Sequence, residues 1–224
     1  MAPCDEEPKA SASETYFSHE ERMFPALSEG RIPTAQFLHA CQGIAEFVGF
    51  LGTAFNIVKC DISGNVARVR AKYESNRAAM PFLQDLVDLD LKETDGKLNV
   101  GRPSEALLWL KRGLEFMLEL LTQMVDEYNA DPDHSKTESI GHVVRSAYEK
   151  SLKRHHSIII RGGFEMLLKV TRLTRKSILR QVALGKDDLD DVCIRHMQAH
   201  LDNFRLNVHT LVEYYVARGL ETSR

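Results

Sequence analysis

The sequence predicts an all-α protein, a sandwich of about eight helices stacked in two layers. Three observations predict it. Apolar residues recur at helical spacing from Thr34 almost to the C-terminus. No stretch keeps a period-two alternation bounded by turn residues, so no sheet is expected. Several segments carry apolar arcs too wide for one packing face, which calls for neighbours on more than one side.

The elements follow in order. Residues 1–32 hold only scattered Phe17, Met23, Phe24 and Leu27, which reads as a flexible tail whose end docks. A single domain is expected over residues 33–224. Its first helix runs from Thr34, placed to cap it, to about Leu51. The second covers about Asp61 to Glu74, and a shorter one about Met80 to Leu91. Asp95 to Arg102 is a polar loop, and Pro103 opens a long helix from Ser104 to about Tyr128. There Leu107, Leu110, Leu114, Met117, Leu121 and Met124 keep helical spacing, while Leu108, Phe116 and Leu120 widen the arc. After the loop Asn129 to Thr137, helices are expected at about Ser139 to Arg154, Ser157 to Leu173, Lys176 to Leu184 and Asp188 to Ala217.

Composition narrows the function. The 224 residues are 43% hydrophobic and 27% charged, enough apolar mass for a sizeable core. A net charge of −3 and a pI near 6.3 argue against a nucleic-acid binder. Cys4, Cys41, Cys60 and Cys193 are widely separated, so neither a disulfide framework nor a metal site is expected, and no cofactor. The N-terminus lacks a signal-peptide pattern, and no run approaches the roughly 20 apolar residues that span a bilayer. A cytoplasmic, monomeric protein is expected.

Three constellations carry chemistry. Asp61, Asn65 and Arg68 stand at i, i+4 and i+7, so they share one helical face. A carboxylate, a carboxamide and a guanidinium together suit several hydroxyls and one amide. The plain alternative, favoured on composition alone, is an N-cap aspartate followed by a solvated polar stripe. Trp109, the sole tryptophan, offers a flat plate on which a sugar ring can stack, although a lone tryptophan is more often core. His155 and His156 project about 100° apart on a helix, so at most one faces a site. Surface histidines in a basic turn are the plainer reading of that pair.

Taken together, these segments resemble the glycolipid transfer protein family. The resemblance rests on "FLHACQGIAEFVGFLGTAFNIVKCDISGN", "KYESN", "LLWLKRGLEF" and "AYEKSLKRHH", and covers about Phe37 to Tyr215. It implies a headgroup site on the surface and a hydrocarbon pocket between the layers. By that resemblance Asp61 takes a sugar hydroxyl and the ceramide amide N–H, Asn65 binds sugar hydroxyls, and Arg68 replaces a lysine donor. Trp109 would stack under the first sugar, and His156 would donate to the ceramide carbonyl. The pocket positions would be Phe47, Phe55, Val58, Phe116, Leu152, Phe164 and Leu168. The ligand implied is a glycosphingolipid, exchanged during transient contact with a membrane surface and without catalysis.

The chain also departs from that pattern. Ile158 stands where the family's best-known members dock on the bilayer with a tryptophan. Glu105 replaces a leucine one turn before Trp109, and His200 a pocket phenylalanine. Leu220 to Arg224 contain no match to the family's C-terminal tyrosine. Sphingolipid-phosphate carriers of the same superfamily place arginines at the Trp109 and Glu105 positions, so a phosphate headgroup is disfavoured here. A glycolipid sensor that moves no lipid is the other alternative. An enzyme using Asp61 and His156 lacks a nucleophile elbow or a metal set.

Overall fold

The computed structural model describes residues 13–131, 133, 134 and 136–221. Eight α-helices and no strand are found among them: α1 (Thr34–Val48), α2 (Asn56–Ser75), α3 (Leu83–Lys92), α4 (Pro103–Ala130), α5 (Gly141–Lys150), α6 (Ile158–Val170), α7 (Arg175–Val182) and α8 (Asp190–Ala217). The two-layer architecture expected from the apolar arcs is the one observed. α4 is its hub, packing on α2, α3, α5 and α8, while α1 packs on α2. Pro103 occupies the first turn of α4, where its missing N–H leaves no bond unmade. Leu107, Leu110, Leu114, Phe116, Met117, Leu120 and Leu121 are all buried, so this helix is enclosed as the wide arc requires. No described helix is long and apolar enough to cross a membrane.

Three local expectations are corrected. Thr34 is the first helical residue, not the cap; Pro33 precedes the helix, and the Thr34 hydroxyl donates to the Met80 carbonyl at 2.9 Å. α2 begins at Asn56, five residues before Asp61, so Asp61 lies inside the helix and caps nothing. The helix expected to run to Arg154 ends at Lys150. Ser151 Oγ donates to the Ala147 carbonyl at 2.6 Å, and a 3-10 turn, Leu152–His155, follows. His156 has extended backbone and is not helical.

The tail expected over residues 1–32 divides in two. Residues 1–12 lie outside the described residues. Residues 13–32 pack on the core through Tyr16, Phe17, Phe24 and Ile32, all buried. The Tyr16 hydroxyl donates to Gly43 on α1 at 2.7 Å, and Phe24 stacks on Phe204 of α8 at 4.3 Å and 4°. Three aromatic rings set at irregular intervals clamp the segment, a pattern helical periodicity does not register.

Candidate functional site

The site forms where α2, the first half of α4 and the turn after α5 meet. On α2, Asn65 is buried and Arg68 exposed, with Arg68 Nη1 donating to Asn65 Oδ1 at 3.2 Å. That bond occupies the Asn65 oxygen and leaves its amide as the donor. Asp61 stands one turn earlier. Burial raises its pKa above the ordinary carboxylate value, the nearby His156 and Arg68 oppose that, and Glu105 adds to it. His156 therefore lies close enough to Asp61 to sense its charge, although it reaches the site from a different element.

Tyr148 fixes the His156 ring. Its buried hydroxyl lies 3.0 Å from Nδ1 of His156, and burial raises the tyrosine pKa, so the hydroxyl keeps its proton and is able to donate to Nδ1. In the tautomer where the hydroxyl donates to Nδ1, the imidazole proton sits on Nε2. Burial lowers the His156 pKa, with Asp61 opposing and Arg161 and Arg112 reinforcing, so the ring is neutral at pH 7. That tautomer offers one N–H donor, at Nε2, on the side of the ring away from Tyr148.

Trp109 on α4 completes the group. Its indole lies 6.4 Å from the His156 ring, with the planes 25° apart. Arg112, nearly one turn later, holds its guanidinium 4.6 Å from the indole centroid. Arg112 is itself paired with Glu221, and buried Lys111 pairs with Glu115 at 3.0 Å and Glu221 at 3.3 Å. Glu105 accepts from the Gly101 N–H at 3.3 Å in the first turn of α4, where a carboxylate complements the helix dipole.

Among the pocket candidates, Phe116 of α4 meets Phe164 of α6 edge to face at 6.3 Å, and Phe164 stacks on Tyr148 at 3.8 Å. The aromatic wall thus continues from the His156 side into the interior. Leu152 and Leu168 are partly buried against the same core. Phe47 and Phe55 are fully buried, and Val58 is partly buried against the core; the Phe47 ring meets Phe17 and Phe50. His200 takes the place of a core ring among Phe17, Phe24 and Phe204. Ile158, Ile159 and Ile160 are exposed at the start of α6. No group of residues able to hold a metal ion is found among the described residues.

Sequence reading missed two supports of the site. Tyr148 sits inside the AYEKSLKRHH segment, so its register was visible but its role was not. Glu221 carries no local signal, because it meets Arg112 across 109 positions of chain.

An imidazole, an exposed carboxylate and an indole thus meet beside an aromatic interior in an all-helical domain. The chain belongs to the glycolipid transfer protein family, whose model matches residues 32–183. It is 31% identical over 198 residues to a glycolipid transfer protein of Danio rerio, covering 88% of this chain and 92% of that one. It is 35% identical over 159 residues to human pleckstrin homology domain-containing family A member 8, covering 69% of this chain but only 29% of that longer protein. A solved structure describing how FAPP2 selects simple glycosphingolipids with this fold superposes with a TM-score of 0.80. It is 29% identical and is matched over 93% of this chain and 98% of that one. Human ceramide-1-phosphate transfer protein, 15% identical with a TM-score of 0.72 over 92% and 94% of the two chains, shares the fold.

Proposed function

We propose that this protein moves neutral glycosphingolipids between membranes without chemical change. The observation that carries the reading is Trp109 lying beside neutral His156, on a helix whose two nearest cations, Lys111 and Arg112, are already paired with carboxylates. A sugar is uncharged and presents hydroxyls and an apolar ring face, which suits an indole plate, the Asp61 carboxylate and the Asn65 amide. A phosphate wants two open cations, and the two that flank Trp109 on its own helix, Lys111 and Arg112, already hold carboxylates.

In this reading Asp61 accepts from a sugar hydroxyl and from the ceramide amide N–H, and His156 Nε2–H donates to the ceramide carbonyl. The hydrocarbon chains enter beside Phe164 and Phe116. The exposed isoleucines of α6 touch the bilayer while this happens. Monohexosyl and dihexosyl ceramides are the cargo.

Charge-assisted hydrogen bonds contribute about 1.5–3 kcal/mol each, so losing those at Asp61 removes most of the headgroup affinity. Asp61→Val is expected to abolish vesicle-to-vesicle transfer of galactosylceramide while its far-ultraviolet circular dichroism stays unchanged. Transfer retained by a folded Asp61→Val protein would place the headgroup elsewhere.

A further inference from the structure

The last turn of the described chain sets a carboxylate beside the headgroup site. α8 stops at Ala217, and Gly219 follows at φ +67°, a left-handed conformation that glycine takes without strain. The N–H groups of Gly219 and Leu220 return to the carbonyls of Val216 and Tyr215 at 2.9 and 3.0 Å, which reverses the chain over the helix end. Leu220 packs on the core, and the reversal delivers Glu221 to α4. There its two oxygens accept from Arg112 Nε at 2.9 Å and Nη2 at 3.1 Å, a bidentate pair. The Glu221 side chain is only 5% exposed. Burial works against its charge, but the Arg112 bonds and the Lys111 charge outweigh burial and hold its pKa at about 2.

Arg112, Lys111, Glu115 and Glu221 form one ion-pair cluster, in which Glu221 is shared by both cations. Without Glu221 the Arg112 guanidinium, which lies against the Trp109 plate, would lose the carboxylate that fills its fork. A guanidinium fork fits phosphate as well as it fits carboxylate. Resting on the glycosphingolipid reading above, we propose that Glu221 is a specificity-determining residue, an internal anion that fills the Arg112 fork and thereby excludes phosphate headgroups. A tethered carboxylate competes at high effective concentration, so a phosphate lipid must displace it or lie against it. A sugar meets no such opposition, and the fixed guanidinium backs the plate on which the sugar stacks.

The test is the ratio of ceramide-phosphate to galactosylceramide transfer between phosphatidylcholine vesicles, measured in one preparation of each variant. Partial loss of folded protein lowers both rates together and leaves the ratio untouched. In Glu221→Gln the ratio is expected to rise at least about tenfold, the scale of one charge-assisted pair. Glu221→Ser, which keeps a small polar group at the turn, is expected to do the same. Adding Arg112→Gln to either variant should cancel the rise, because the cation that phosphate would use is then gone. Galactosylceramide transfer with an unchanged ratio in both Glu221 variants would overturn this inference alone. A rise that survives removal of Arg112 would overturn it too. Failure of the unmodified protein to move galactosylceramide would instead overturn the glycolipid reading itself.

Discussion

His200 shows most clearly how one residue departs from its surroundings. It is 1% exposed within an aromatic cage, and its Nε2 has no hydrogen-bond partner among the described residues. Burial alone depresses its pKa from 6.5 to about 4. The unfolded chain therefore binds a proton between those values that the folded chain refuses. Its contribution to stability is fully present above pH 6.5 and is lost as the pH falls toward 4, by up to about 3 kcal/mol. His200→Phe removes both the orphaned nitrogen and the titration. Its melting temperature is expected to exceed that of the unmodified protein, with the gap widening from pH 7 to pH 4.5. A gap that stays constant with pH would mean that His200 is not held neutral. At the same scale, Trp109 is the only tryptophan, so its emission reports the site directly. Vesicles containing galactosylceramide should shift that emission, and glycolipid-free vesicles should shift it far less. Equal responses would remove the indole from the headgroup site.

Individual elements differ in how plainly the sequence announced them. α4 was legible almost to its ends, because Pro103 marks its start and seven closely spaced apolar positions are enclosed on all sides. The start of α2 was misplaced because Asp61 follows the apolar Ile57 and Val58 and has the chemistry of a cap, yet the helix runs through it. The break after α5 was invisible, since Ser151 ends the helix with a back-bond to Ala147 that leaves no mark on periodicity. That break turns His156 out of a helix and toward Trp109, so the motif names the candidate residues but not their arrangement. α6 is the loosest helix: none of its described side chains is fully buried, and Ile158 and Ile159 are 85% and 87% exposed. An apolar edge of this kind inserts weakly and with little screening by salt. Ile158→Trp is expected to increase partition onto neutral vesicles, and Ile158→Glu to reduce it. Unchanged partition in both variants would mean that this corner does not meet the bilayer.

For the whole molecule, the helical count and the two layers followed from periodicity, whereas the closures that finish the structure did not. Residues 13–32 bind α1 and α8, and the Glu221 turn binds α4, across more than 100 positions in the case of α8 and α4, through aromatic stacking and one buried ion-pair cluster. Contacts at such separation have no local signature. In the function proposed above they matter because the cluster pairs the cations beside Trp109 with carboxylates, which favours an uncharged headgroup. Charge neutrality at that point therefore separates the glycolipid reading from the phosphate reading more sharply than the fold, which both kinds of relative share. The most direct measurement is competitive transfer of galactosylceramide against ceramide-phosphate by the unmodified protein. Galactosylceramide should move more than about a hundredfold faster, since two missing cation contacts cost several kcal/mol. Faster movement of ceramide-phosphate would contradict the account, even with every helix in place.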